Sequence, residues 1–500
     1  MADRLIRSLA PFWLIGVGAL AGLLTLVLIW GVLALVHRRT ARLMLEVCRE
    51  RVIFPFLVMA TGVALYTVII TLSDASGTRF FDQKAAAINS VFRMHTIGSR
   101  NFSVNLPANT MDKKIDLDIP SGELNFIELS SELPLIVVLN VPKSDVSELK
   151  GDILEEIGSD AFKWTRPREP TGPWAGKIEA IYVTNESERE TQLSVKLGTQ
   201  MVVPQASVIP YTACGVVVFV IGYLLLQLLF PRISAVAMTT GKEAVSQPLF
   251  YLLMSIGIAL CLLGLIVPYF TFGEDIKMYK TAGFDIIKII AMFLALWTAS
   301  VTISEEVEGR TALTVLSKPI TRQQFILGKY VGIGAAVLLL FMLLGGIFSY
   351  CVSYKVVYDA RETVKLDIGW QDCHSELVRT TPGLILTFME SMVLAAVAVA
   401  ISTRLGMLAN LIICLAIYAV GHLVPLFVQS SLGEFAIVKF MAQLTATILP
   451  GLEHYNIGGA IMAGRDTPLS YLGWAGVYSA IYIAIAMLLA LLLFDDRDLA

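Results

Sequence analysis

Two ionisable residues stand out inside stretches apolar enough to cross a bilayer, Glu390 and His422. A carboxylate in hydrocarbon costs on the order of 3 kcal/mol even on the most lenient insertion scale, so Glu390 is expected to face a cavity or a partner. At ~1.5 Å of helical rise per residue, Glu390 falls about 10 Å below the outer end of its span, with His422 at a similar depth in the next. The pair is read as a candidate lining of a translocation path; the alternative is that backbone or water satisfies each one separately. Asp372-Cys373-His374 with Glu376 has the donor types of a soft-metal site. Adjacent ligands on one short stretch rarely close a site alone, so a polar loop is the plainer reading and no metal is assigned. Cys351 and Cys373 fall on one side of the membrane and could pair in an oxidising compartment. None of the six cysteines has CxxC spacing, which leaves zinc and redox motifs unsupported.

A phosphate-cradling loop needs glycine-rich backbone ending in Gly-Lys-Ser/Thr. Gly-Lys occurs at 176–177, 241–242 and 328–329, followed by Ile178, Glu243 and Tyr330, and none qualifies. There is no His-Glu-x-x-His and no Gly-x-Ser-x-Gly. No catalytic residue or cofactor is therefore assigned to the chain. If ATP drives it, ATP and magnesium belong to a separate subunit.

The stretch with the most unusual polarity is Ser304–Tyr330, SEEVEGRTALTVLSKPITRQQFILGKY, set between long apolar flanks. Glu305, Glu306 and Glu308 come first, then Gly309 and Arg310. Ala312, Leu313, Val315 and Leu316 point largely one way if the run is helical. Pro319 ends that run because the residue before a proline avoids helical geometry. Thr321 with Gln324 reads as a capping box opening the next helix. A small helix outside the bilayer, clamped between two spans, is well placed to touch a soluble partner.

The order Glu, Gly-Arg-Thr, Leu-x-x-Leu, Ser-Lys-Pro-Ile-Thr-Arg and Gly-Lys resembles the first cytoplasmic loop of permeases in the ATP-binding-cassette type-2 transporter family. The resemblance covers about 235–500, including the closing run Phe494–Leu499. It implies that this loop holds a coupling helix docking onto an ATPase subunit. The acidic start would be Glu305, Glu306 and Glu308, and the turn Gly309 and Thr311, with Arg310 departing from the commoner direct Gly-Thr pairing. Leu313 and Leu316 would form the docking ridge of a helix reaching Lys318, and Pro319, Arg322, Gly328 and Lys329 its exit. It also implies a second permease copy or a related permease, export as the direction, and a multi-pass location in the cytoplasmic or inner membrane.

Composition agrees with membrane residence. The 500 residues are 56% hydrophobic and 16% charged, and many windows exceed the roughly 18 apolar residues that suffice to span. A net charge of −3 with no basic stripe argues against nucleic acid as a partner. The fold class expected is a polytopic α-helical membrane protein: a six-span permease core preceded by about three extra spans and a β-rich extracytoplasmic domain. Residues 1–72 hold two spans, the first running from Pro11 to Val36 with the small-xxx-small pattern Gly18–Gly22. Five arginines in His37–Arg51 place the connecting loop in the cytoplasm.

Residues 73–208 alternate polar and apolar in NFSVNL, KKIDLDI, ELNFIEL, PLIVVLNV, KIEAIYVTN and TQLSVKLG, the signature of short strands. One helix is expected over Ser144–Gly158. Asn101 and Asn185 begin formal glycosylation motifs. This domain could bind a partner or substrate, or simply shield the spans. Residues 209–230 form a third span, and 231–248 an interfacial helix. The core, 231–500, carries spans near 249–270, 284–303, 331–350, 383–402, 408–428 and 471–494 and the loop 304–330 on the cytoplasmic side. Within 429–470 the family resemblance implies short re-entrant helices. The competing reading is a non-transporting membrane anchor or scaffold of an envelope complex, whose exterior domain binds partners.

Overall fold

The computed structural model describes the chain apart from residues 1, 50–52, 74–83, 141, 143–153, 158–160, 167–173, 175, 268, 270–273, 307–319, 360–367, 430–435 and 496–500. The chain divides into two units, Met1–Ser73 with Tyr211–Ala500, and Asp74–Pro210. In the first unit, α1 (Ala2–Val36) is followed by α2 (Arg38–Arg49), a basic amphipathic helix, and α3 (Phe54–Ser73). The small-residue pattern on α1 serves close packing: a Cβ on Gly22 would lie 2.9 Å from the Ala213 carbonyl oxygen of a later helix.

The second unit opens with α4 (Lys84–Phe92), a helix without a sequence forecast, and continues into a β-sandwich. Its strands are β1 (Gly98–Leu106), β2 (Thr110–Ile119), β3 (Leu124–Ser131), β4 (Leu135–Leu139), β5 (Leu154–Ile157), β6 (Phe162–Thr165), β7 (Ile178–Asn185) and β8 (Thr191–Thr199). They form two antiparallel sheets of order β1-β8-β3-β6 and β2-β7-β4-β5. Inward residues of both sheets share one core, among them Leu106, Ile127, Val137, Ile181, Val195 and Leu197. Strict alternation explains the match: in β8, Leu193, Val195 and Leu197 are buried while Gln192 and Lys196 face water.

The helix expected over Ser144–Gly158 is corrected. Residues 154–157 are strand, registered Leu135↔Ile157 and Val138↔Leu154 on the edge of β4, and the remainder lies outside the described residues. The spacing of Ile153 and Ile157 suited a helix, but the unpaired edge of β4 offers backbone hydrogen bonds and wins. Asn185 is also unsuited to its formal glycosylation motif. It is buried in the β7–β8 hairpin, where its amide donates to the Pro107 and Arg189 carbonyls (2.9 and 3.0 Å) and its oxygen accepts from Ser187. Asn101 is exposed.

The chain then continues through α5 (Val208–Leu229), α6 (Pro231–Ser246), α7 (Pro248–Ile266), α8 (Asp275–Ala299), a π-helical turn at Ser300–Glu305, α9 (Arg322–Asp359) and α10 (Trp370–Ser402). Next come α11 (Met407–Gln429), α12 (Ala436–Ile448), a 3-10 turn at Leu452–Tyr455, α13 (Gly458–Met462) and α14 (Leu469–Asp495). Among the described residues eight helices are long and apolar enough to cross a membrane, and Met407–Leu423 is a shorter apolar stretch. The protein is a polytopic helical membrane protein. In α8, α9 and α10 most of the apolar window is buried, whereas α5, α7 and α14 expose theirs. The three form the centre of the unit, and the others present the side chains a bilayer requires.

Two sequence expectations change here. The spans placed at 284–303, 331–350 and 383–402 are parts of longer helices, so most of the loop expected over 351–382 is helical. Apolar content marked only the stretches without charge; Lys355, Asp359 and Glu376 lie on helical extensions where ion pairs compensate them. The apolar face of α6 was assigned to the membrane interface, yet Val236, Ala237 and Ala244 are buried in protein. α9 receives that face across two glycines. A Cβ on Gly328 would sit 2.5 Å from Val236 Cβ, and one on Gly332 2.5 Å from the Ala237 carbonyl oxygen. Only glycine permits this approach.

Candidate functional site

The loop end of the helical centre is held from both sides. Glu305 closes the π-helical turn. Glu306, in the next position, lies 2.6 Å from Lys329 Nζ, and the Lys329 ammonium also sits over the Phe325 ring. The capping box forms: Gln324 N–H donates to Thr321 Oγ1 and Thr321 N–H to Gln324 Oε1, both at 3.2 Å. Arg322 donates to the Phe494 and Asp495 carbonyls at the end of α14, where a cation complements the helix dipole. Gly328, expected at the exit of the loop, packs against α6. Glu308, Gly309, Arg310, Thr311, Leu313, Leu316, Lys318 and Pro319 lie outside the described residues.

The π-helical turn is anchored to the turn between α10 and α11. Ser304 Oγ donates to the Ser402 and Leu405 carbonyls at 3.1 and 2.9 Å, and Asn410 Nδ2 to Ser300 Oγ at 2.8 Å. A π-turn adds a residue to the helical cycle and so redirects the chain as it leaves α8.

Deeper in the helices, α8, α10 and α11 bring four ionisable groups together. His422 Nε2 is 3.4 Å from Glu390 Oε1. Lys288 Nζ is 3.9 Å from Glu390 Oε2 and 3.0 Å from Asp285 Oδ1. The ammonium also lies 5.9 Å from the centre of the Tyr418 ring. Glu390 and Lys288 are buried, His422 less so, and the Asp285 side chain is more than half exposed. The helix that carries Glu390, α10, begins at Trp370, well before the apolar run expected from residue 383. At ~1.5 Å per residue, Glu390 is about 30 Å from that end and about 18 Å from Ser402, nearer the loop end.

Asp285 and Lys288 were missed in the sequence. The available signal was the one used for Glu390: two ionisable residues three apart inside an apolar window, able to pair on one helix face.

At the far end of the same helices lies a second set of charges. Lys355 is buried between Asp359 (3.2 Å) and Asp275 (3.9 Å). Lys280 pairs with Glu376, and Arg379 bridges Glu376 and Asp466 at 3.3 and 2.7 Å. Within the Asp372–Glu376 stretch, His374 Nε2 is buried with no hydrogen-bond partner among the described residues. Asp372 accepts from Gly369 N–H at 3.0 Å, capping α10, while Glu376 is salt-bridged. Cys351 and Cys373 are free thiols in different surroundings, Cys351 in the main core and Cys373 against Val356 and Val357.

Apolar helices around a buried, multi-helix polar cluster define a polytopic membrane protein with an ionisable interior. Residues 213–499 match the family model described as ABC-2 family transporter protein, and the chain belongs to that family. The match begins within α5, ahead of the stretch of about 235–500 over which the resemblance was traced. Comparison with individual curated proteins finds no match.

Proposed function

We propose that the chain is the membrane-spanning permease subunit of an ATP-driven exporter, working with a separate ATPase that supplies ATP and magnesium. The observation that carries this reading over an anchor is the Lys288–Glu390–His422 cluster. Three helices contribute to it, and Glu390 is 2% exposed. Charged groups are expensive in a membrane interior and are retained there where an ion or substrate passes. A bare anchor has no use for them.

In this reading the 304–330 loop takes the stroke of the ATPase, with Glu305, Glu308, Arg310, Thr311, Leu313, Leu316 and Lys318 facing it. Glu306–Lys329 and Arg322 transmit the push into α9 and α14. Glu390, His422 and Lys288 line the path. A second copy or a related permease completes it, the sandwich lies outside the cytoplasm, and the assembly resides in the cytoplasmic or inner membrane.

The test is purification of the tagged chain in mild detergent, wild type beside Glu308→Ala and Leu313→Asp, with ATP hydrolysis assayed in the eluate. An ATPase that accompanies wild type and is lost from the loop variants supports the reading. Its absence, or its retention by both variants, overturns the coupling assignment and favours the anchor.

A further inference from the structure

The hydrogen-bond inventory of the buried cluster is one proton short. His422 Nδ1 lies 3.2 Å from the Tyr418 backbone oxygen. A carbonyl only accepts, so Nδ1 carries the hydrogen, and in neutral imidazole Nε2 is then a lone pair. That lone pair points across 3.4 Å to Glu390 Oε1, which is also an acceptor when ionised. Both atoms are buried, and neither has a hydrogen-bond partner among the described residues. Two acceptors face each other in a low-dielectric site, where an unmet polar group is costly.

The surrounding charge favours the same resolution. The groups facing the pair are Asp285 and Lys288 on α8, Tyr418 on α11, and Glu453 and Tyr455 on the 3-10 turn. Tyr455 is engaged with Ser479 at 2.7 Å, and Glu453 accepts from Asn456 at 2.9 Å. With Lys288 charged and Asp285 ionised, an ionised Glu390 and a neutral His422 leave these four groups at a net −1. One added proton, on either Glu390 or His422, brings them to zero. Desolvation prefers the neutral set.

We propose that Glu390 and His422 jointly hold one proton inside the membrane-spanning core, and that its release accompanies separation of α10 from α11. The proton arrives from water through His422, whose side chain is 21% exposed against 2% for Glu390. It then lies between Nε2 and Oε1 as a single donor, and the pair titrates as a unit. Parting the helices breaks the shared bond and returns each group to its own proton affinity. This coupling to helix movement rests on the permease reading; the proton site itself does not.

The experiment follows the His422 ring by NMR on isotope-labelled histidine in the full-length protein in lipid nanodiscs, over about pH 5 to 8. Glu390→Gln is the informative variant, because its amide donates to Nε2 without a proton. The proton affinity of His422 is expected to drop at least ~10-fold in E390Q, one pKa unit. Equal titration in both proteins overturns the proposal. Wild type alone provides a second check independent of that variant's folding. A neutral His422 ring by NMR together with an ionised Glu390 by infrared spectroscopy, at neutral pH, is the two-acceptor state the proposal forbids. Coupling is read separately from the pH profile of ATP hydrolysis by the purified complex. A profile that flattens in E390Q supports coupling; one that stays unchanged while His422 titration shifts refutes coupling and leaves the proton site standing. Absence of any co-purifying ATPase instead counts against the permease reading.

Discussion

Replacing Lys329 with methionine tests whether the two flanks of the 307–319 segment are tied into one base. Methionine keeps the stem that packs beside Phe325 and removes the charge, so the change isolates the cation 2.6 Å from Glu306 Oε1. Removing one member of a buried pair costs about 3–5 kcal/mol, because the remaining charge loses that partner. The Lys329 side chain is 5% exposed but that of Glu306 is 24% exposed, so water recovers part of this; about 2–3 kcal/mol is the expected loss. At ~2–4 °C per kcal/mol for a large unit, the melting temperature should fall by about 4–12 °C. The assay is thermal unfolding in detergent, followed by tryptophan fluorescence, for wild type, K329M, E306Q and the double variant. The double variant removes both charges and should regain most of the loss, ending within ~1 kcal/mol of wild type. If K329M melts with wild type, or the double variant falls by the sum of the singles, Glu306 and Lys329 do not act as a pair.

The contact of α9 with α6 predicts that Gly332→Ala destabilises the helical unit by about 1–3 kcal/mol, since its Cβ has no room beside Ala237. Gly346→Ala, which meets open space, should leave the same melting curve unchanged. In a background lacking Cys48 and Cys214, Asn101→Cys should react with a membrane-impermeant maleimide on intact cells; labelling only after lysis would overturn the exterior placement of the sandwich. In the same domain the Lys163 ammonium, 3.0 Å away, holds the Glu128 carboxyl below the usual carboxylate range. The unfolded chain therefore binds that proton more readily, and the stabilisation is full above the unfolded pKa and lost as pH falls through the folded one. Hydrogen exchange of β3 and β6 in the full chain should be faster in Glu128→Gln than in wild type at neutral pH and equal to it in strong acid; a constant difference at all pH values would refute the assignment.

Length and polarity alone determined a good deal. Uninterrupted apolar stretches require helices in hydrocarbon, because each backbone group must find its partner within its own segment. Short runs of alternating or continuous apolar residues marked six of the eight strands, most clearly β8, where one face is buried and the other wet, while β4 and β7 are buried on both faces. The Thr321–Gln324 box was readable because both of its bonds are local. Tertiary structure decided what depends on a neighbour distant in the chain. Residues 154–157 became strand because β4 offered an edge, and charged helical extensions survived because Lys355 found Asp275 and Lys280 found Glu376. Gly328 and Gly332 acquired meaning only from the backbone of α6. Glu390 and His422 were visible one at a time as ionisable residues in apolar runs. Their separation of 3.4 Å, and the approach of Lys288 from a third helix, follow from how α8, α10 and α11 pack. A charge on one helix carries no record of which face of another it will meet, and that meeting sets whether a buried group stands alone, is paired or shares a proton.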